Sequence, residues 1–174
     1  MSTTTIYRLG RDPGELAEFR NSWRGAMQVW SHIAKRYLEL DMFPFSGPDQ
    51  KRVWQAHLTH PLSPEERIVL LSTMDNAAVR GADVPAVAAA FDAYGAGHTD
   101  SSYREQGIAL RELVACGEIR PDDWIAWQQT SVGEFWGHIA WNEEREDYDW
   151  YDPATGTKHF DFYAEATAEA LTVS

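Results

Sequence analysis

The chain has 174 residues, of which 44% are apolar and 24% charged, and these values are typical of a single soluble globular domain. Its formal net charge of −12 argues against a general nucleic-acid-binding protein, because such proteins need a basic surface. No apolar stretch reaches the roughly 20 residues of a membrane span, the N-terminus does not resemble a signal peptide, and the single cysteine excludes an intrachain disulfide. We therefore expect a cytoplasmic protein with no membrane segment.

The N-terminal part predicts one short strand and one long helix. Residues 3–9 are β-prone, so they form either an edge strand of a later sheet or a frayed terminus. Asp12 then fits an N-cap, Pro13 the first helical position and Glu15 a capping box. Apolar residues follow at spacings of three and four. This pattern predicts a continuous helix over residues 13–40.

Four more helices are predicted before residue 117. A capping residue with a nearby proline marks two of their starts, a proline alone a third, and a serine cap alone the fourth. At one of them Ser63, Pro64 and Glu66 predict a capping box. Their predicted ranges are 48–58, 63–78, 83–94 and 103–116. His57 and His60 form the one close histidine pair, but zinc would need two further ligands, so no metal site is predicted there. The glycine-rich loop that contains His98 lacks the lysine and the spacing of a phosphate-binding P-loop.

From Asp123 onward the apolar period changes to two, which indicates strands. Residues 124–131 predict a strand that starts in the core and emerges toward solvent. Residues 148–152 and 157–163 predict a hairpin around a Pro153–Gly156 turn, and residues 164–171 a final helix.

These elements together predict an α+β fold. Four or five helices pack on one face of a small C-terminal antiparallel sheet. We expect a single domain over residues 1–174, with a helical part at about 12–117 and a tryptophan-rich β part at about 123–163. Helices that are segregated from strands argue against a parallel sheet that binds nucleotides at its switch point.

The residues that most resemble a functional surface lie between positions 141 and 152, where aromatic rings alternate with carboxylates. Rigid aromatic anchors surrounded by charge are typical of protein interfaces, although a solvated acidic loop has the same composition. The spacing of the aspartates does not fit an EF-hand, so neither a metal nor a cofactor is predicted. The candidate binding residues are Trp141, Glu143, Glu144, Asp147, Tyr148, Asp149, Trp150, Tyr151 and Asp152.

The leading hypothesis is a non-enzymatic acidic protein that uses this surface to bind a protein partner, basic in the simplest case. A phage or mobile-element accessory protein would fit this description. One alternative is a small hydrolase or transferase with a site near Gln128–Ser131, His138 and His98, although no residues form a recognisable catalytic arrangement. The other alternative is a structural or assembly subunit that associates with itself. Direct nucleic-acid binding is not expected.

Overall fold

The computed structural model describes residues 3–9, 12–20, 22–98, 102–129, 141–148 and 158–168. Within these ranges the chain is a mixed α/β protein with seven helices, where four or five were predicted. The helices are α1 (Ser22–Tyr37), α2 (Gly47–Trp54), α3 (Ala56–Thr59), α4 (Pro64–Ser72), α5 (Val84–Gly97), α6 (Tyr103–Ala115) and α7 (Phe162–Thr167). The strands are β1 (Thr3–Leu9), β2 (Gly14–Arg20), β3 (Ala77–Arg80), β4 (Trp124–Gln129), β5 (Trp141–Asn142), β6 (Asp147–Tyr148) and β7 (Phe160–Asp161).

The main sheet of the described ranges has five strands in the order β2-β1-β4-β3-β7. β1 is antiparallel to both β2 and β4, and β3 is antiparallel to β4. β3 and β7 are parallel, so the sheet is mixed. The prediction of a C-terminal antiparallel sheet is therefore wrong, because three of these strands come from the first 80 residues. Residues 3–9 are an inner strand, neither an edge nor a frayed end.

The long N-terminal helix was predicted to begin too early. Residues 14–20 form β2, and α1 begins only at Ser22. Asp12 does not cap a helix: Arg8 donates to its carboxylate at 2.6 Å and to its carbonyl oxygen at 2.7 Å. β1 pairs with residues 14–20 along their whole length, and this tertiary partner overrides their helical side-chain periodicity.

A second correction concerns β3, because the predicted helix 63–78 was expected to include its first two residues, Ala77 and Ala78. α4 ends at Ser72, and Asn76 takes a left-handed φ of 61° that turns the chain into β3. Ala77 and Ala78 are fully buried between neighbouring strands. Alanine has high helix propensity, so the sequence alone favoured the helix, but pairing within the sheet decides the structure.

Other predicted elements are confirmed. The capping box at the start of α4 is present, because Ser63 accepts from the Glu66 amide and the Glu66 carboxylate accepts from the Ser63 amide. α6 and β4 lie where the sequence placed them, and Gly117 follows α6 with a φ of 83°. α5 continues to Gly97, three residues beyond the predicted end at residue 94.

The core lies on the face of the sheet that contains Ile6, Val79 and Ile125, which pack with side chains from the helices. The opposite face carries a smaller apolar cluster around Leu9, Ala78 and Ala126. This division follows from the alternation of side chains along a strand, and β1, β3 and β4 each bury apolar side chains on both faces.

The C-terminal part differs from the predicted hairpin. β6 pairs with β5 in a separate two-stranded ribbon, and residues 149–157 lie outside the described residues. The predicted return strand is represented by β7 alone, because Phe162 already begins α7. Asp161 explains this early start, since its carboxylate accepts from the Ala164 amide at 3.0 Å and caps the helix. The single domain spanning residues 1–174 stays a prediction.

Candidate functional site

The described part of the candidate surface is the β5–β6 ribbon and the turn that closes it. Trp141 pairs with Tyr148 and Asn142 with Asp147, and residues 143–146 form the turn. All four turn residues are exposed: Glu143, Glu144, Arg145 and Glu146. We call residues 143–146 the acidic turn.

The backbone of the acidic turn is held by a side chain of the ribbon. The Asn142 side-chain oxygen accepts from the Glu144 amide at 3.1 Å and from the Arg145 amide at 3.2 Å. This is the local hydrogen bonding that makes asparagine common in turns. Glu146 takes a left-handed φ of 50° where the chain enters β6. The turn therefore presents three exposed glutamates on a backbone that two local hydrogen bonds to Asn142 constrain.

The structure brings only part of the predicted surface together. Trp141, Asp147 and Tyr148 lie on the two strands of the ribbon, while Asp149, Trp150, Tyr151 and Asp152 lie outside the described residues. The predicted role of these four residues stays a prediction.

The alternative catalytic site is likewise described in part. Gln128 and Gln129 belong to β4 and pair with Thr5 and Thr4. Thr130, Ser131 and His138 lie outside the described residues. His98 is the C-cap of α5, and its ring stacks on Tyr94 at 4.2 Å. Its neighbours are side chains that the sequence reasoning did not connect with it.

These neighbours form a polar cluster around the Glu66 carboxylate, which is 3% exposed. One carboxylate oxygen accepts from the Tyr37 hydroxyl at 2.6 Å and from the Ser63 amide at 2.9 Å. The other accepts from Arg36 at 3.0 Å and lies 3.6 Å from the His32 Nε2. Both oxygens are thus occupied by donors from α1 and from the start of α4.

The cluster continues from His32 to the end of α5. The His32 Nδ1 lies 3.3 Å from the Tyr94 hydroxyl, and the rings of His32 and His98 are 4.3 Å apart. The His98 Nδ1 contacts the Tyr94 carbonyl oxygen at 2.9 Å, which gives the α5 C-terminus a local hydrogen bond. Side chains from α1, α4 and α5 therefore meet in one polar group.

Burial and charge set the ionisation of this cluster. Burial tends to raise the pKa of Glu66, but the hydrogen bonds from Tyr37 and Ser63 and the charge of Arg36 outweigh it and leave the pKa below its ordinary value. Burial, and then the neighbouring His98, lower the pKa of His32. Burial and the Glu66 carboxylate raise the pKa of Tyr37 to about 12. At neutral pH the cluster therefore holds a carboxylate, a neutral His32 and a protonated phenol.

This arrangement is better suited to joining helices than to chemistry. An acid or base must reach a substrate, yet Tyr94 is 3% exposed and the Glu66 oxygens are already bonded within the protein. The sequence did show Glu66 as a capping residue. It gave no sign that the same carboxylate reaches Tyr37 and Arg36, because that contact depends on how α1 packs on α4.

Two other polar features serve the packing of helices. Buried His57 on α3 contacts the Glu165 carboxylate of α7 at 3.0 Å, which ties the C-terminal helix to the helical layer. A cavity of about 250 Å³ is lined by Leu38, Arg52, Gln55, Thr59 and His60. Arg52 in this cavity donates to the Leu38 carbonyl oxygen at 3.4 Å and so contacts the end of α1.

Among the described residues there is no group of three histidine, cysteine or acidic side chains placed to hold a metal ion. No helix in the same ranges is long and apolar enough to cross a membrane. Comparison of the chain with protein-family models, with curated proteins and with solved structures gave no match. The geometry of the site is therefore the basis for any functional proposal.

Proposed function

We propose that this protein is a non-enzymatic binding protein that docks a basic protein partner through the acidic turn and the ribbon that carries it. The observation behind the proposal is the exposed set of Glu143, Glu144 and Glu146 on a turn whose backbone is fixed by Asn142. A fixed backbone lowers the entropy that the turn loses on binding.

Charge supports the choice of a basic partner. The chain carries a net charge of −12, to which the acidic turn contributes three carboxylates and one arginine. Complementary charge accelerates encounter and suppresses association with acidic proteins, and both effects weaken as salt increases. The aromatic residues of the ribbon, Trp141 and Tyr148, belong to the residue types that commonly anchor such contacts.

A peptide selection tests the proposal and lets the protein itself choose the sequences that it binds. A displayed library of random peptides is selected on the wild-type protein. The selected peptides are then titrated against a triple variant, Glu143→Gln, Glu144→Gln and Glu146→Gln. A matched control changes three exposed glutamates of the helical part to glutamine: Glu39, Glu105 and Glu112.

We expect the selected peptides to be basic and to bind the acidic-turn variant roughly tenfold more weakly, since three exposed ion pairs contribute about 0.2–1 kcal/mol each. The control should bind as wild type does, and the affinity should fall with increasing salt. Neutral or acidic selected peptides, or an equal loss in both variants, would contradict the proposal. A wild-type dimer that becomes a folded monomer in the acidic-turn variant would instead favour the assembly subunit.

A further inference from the structure

β2, the last strand on one side of the sheet within the described residues, offers a second place for a partner. It lies at the end of the strand order, and within the described ranges β1 is the strand with which it pairs. None of the loop and turn backbone hydrogen bonds between described residues involves positions 14–20. β2 is seven residues long. An outer strand of this length presents a row of backbone donors and acceptors to which another extended chain can bind.

A bulge gives this strand a charged face. The register changes from Ile6 opposite Ala17 to Tyr7 opposite Glu15, so Leu16 is an extra residue in β2. Thr5 pairs with Glu18 and Tyr7 with Glu15. Since Thr5 and Tyr7 are two residues apart on β1, the bulge places both glutamates on the same face of the sheet.

The surroundings agree with this placement. Both glutamates are exposed, whereas Ala17 and Phe19 are partly buried against the main core. Burial is the main reason that the pKa of Tyr7 is raised, and the charges of Glu15 and Glu18 add to it. The strand therefore has one apolar face and one charged face, on which Glu15 and Glu18 are followed by Arg20 opposite Thr3 at the end of the strand. We call the charged face acidic because its two carboxylates outnumber the one arginine.

Charge decides which chain can occupy the edge. A second copy of β2 in the antiparallel register that aligns the two Ala17 residues and leaves the bulged Leu16 unpaired in each copy would set Glu15 opposite Glu18 twice, and like charges opposite each other are destabilising. An extended segment with lysine or arginine would instead gain both the backbone hydrogen bonds and opposite charges across the strand pair. Glu15 and Glu18 are three residues apart in the sequence, but the bulge aligns them with Tyr7 and Thr5, which are two residues apart. A regular partner strand on the other side of β2 would therefore face them with basic residues that are also two positions apart.

We propose that β2 binds an extended segment of the basic partner as an additional strand, with a basic-x-basic pattern on the acidic face and small apolar residues on the other. The proposal deepens the proposed function and rests on it, since it assigns the partner a second contact and a sequence pattern. Backbone hydrogen bonds supply binding that does not depend on the charges, and Glu15 and Glu18 select for the cationic strand.

A designed peptide tests the pairing directly. The probe is an acetylated and amidated octapeptide that alternates lysine and valine, titrated into ¹⁵N-labelled protein. A control peptide has the same sequence with methyl groups on the backbone nitrogens of alternate residues, which keeps the charge and removes one row of donors. The protein variants are Glu15→Gln with Glu18→Gln, and the matched pair Glu39→Gln with Glu105→Gln.

We expect the probe to shift the amide resonances of residues 14–20 and to slow their hydrogen exchange. The N-methylated peptide should do neither. The Glu15 and Glu18 double variant should bind the probe about fivefold more weakly, because two exposed charge pairs are lost, while the matched pair stays at the wild-type level. Equal binding of the methylated and unmethylated peptides would overturn strand addition, since charge alone would then explain the contact.

The two proposals fail in different ways. If the probe shifts the acidic turn and leaves residues 14–20 unchanged, the strand inference is overturned and the acidic turn remains the docking surface. If residues 14–20 respond and the acidic-turn variant binds the selected peptides as wild type does, strand addition is supported and the acidic turn is overturned. If neither region responds to a basic peptide, both proposals are overturned.

Discussion

The buried Glu66 carboxylate gives a prediction whose size follows from its contacts. In Glu66→Ala, α4 loses the capping-box bond to the Ser63 amide, worth about 1 kcal/mol, and the Tyr37 hydroxyl loses a charged acceptor, worth about 1.5–3 kcal/mol. Arg36 is more than half exposed, so its ion pair adds little. The expected loss in the free energy of unfolding is about 3 kcal/mol.

The two oxygens of Glu66 have different partners, so replacement by glutamine should cost less stability than replacement by alanine. One oxygen holds both the Ser63 amide and the Tyr37 hydroxyl, and the other faces Arg36 and His32. A glutamine can place its single carbonyl oxygen in the first position and its amide group in the second. Glu66→Gln should therefore cost only about 1 kcal/mol, since it keeps the hydrogen bonds from Ser63 and Tyr37 and loses only the charge that strengthens them.

Urea denaturation followed by circular dichroism at neutral pH measures these differences in the free energy of unfolding. An unchanged m-value, the slope of that free energy against urea concentration, shows that the folded and unfolded states of the variants are comparable. Glu65→Ala is the matched control, because Glu65 lies in the same turn, makes no capping bond to Ser63, and should change stability by less than about 0.5 kcal/mol. Equal costs for Gln and Ala at position 66 would refute the assignment of the hydrogen bonds to one oxygen.

Three further predictions concern packing, burial and pH. Gly107→Ala should destabilise the protein by about 1–3 kcal/mol in urea denaturation, because the new methyl carbon would lie 2.7 Å from the Asp92 carboxylate and 2.9 Å from the Ala88 carbonyl oxygen. Gly97 has open space around it, so Gly97→Ala should not destabilise the protein. Thr73→Val removes the acceptor of the buried Trp30 indole N–H at 2.8 Å and should cost about 1–3 kcal/mol, whereas exposed Thr59→Val should change thermal stability little. The pKa of His32 lies below its ordinary value of 6.5, so near that pH the unfolded chain binds more protons than the folded protein. Stability should therefore fall as pH decreases below about 6.5. The pKa of Glu66 lies below 4.5, so protonation of Glu66 should add to the loss below about pH 4.5. His32→Gln should remove the first part of this pH dependence, and an unchanged profile would contradict the assignment.

The sequence predicted correctly those helices and strands whose positions are set by the residues within them. The serine, proline and glutamate at the start of α4 predicted its capping box, and alternating apolar residues predicted β4. The candidate acidic surface was also chosen from composition, and its turn is exposed as a charged segment should be.

Elements that depend on distant partners were misassigned. Residues 14–20 have helical side-chain spacing, and they form a strand because β1 pairs with them. Residues 77–80 follow a helix without any strong breaker, and they form a strand because β4 and β7 lie on either side. The contacts of Glu66 with α1 could not be predicted from the sequence for the same reason, since no residue spacing shows how two separate helices pack.

The position of β4 in the sheet also determines the order in which the fold can be assembled. β4 pairs with β1 on one side and with β3 on the other, so residue 4 meets residue 129 and residue 78 meets residue 126. Loop closure over such separations is slow, and until it occurs the inner edge of β1 has no strand beside it. During synthesis the hairpin of β1 and β2 can therefore pair with β4 only after most of the helices have been made. An unfinished chain would present a strand edge that is open to incorrect pairing, because α1 can cover the core face of β1 but not the edge that β4 later occupies.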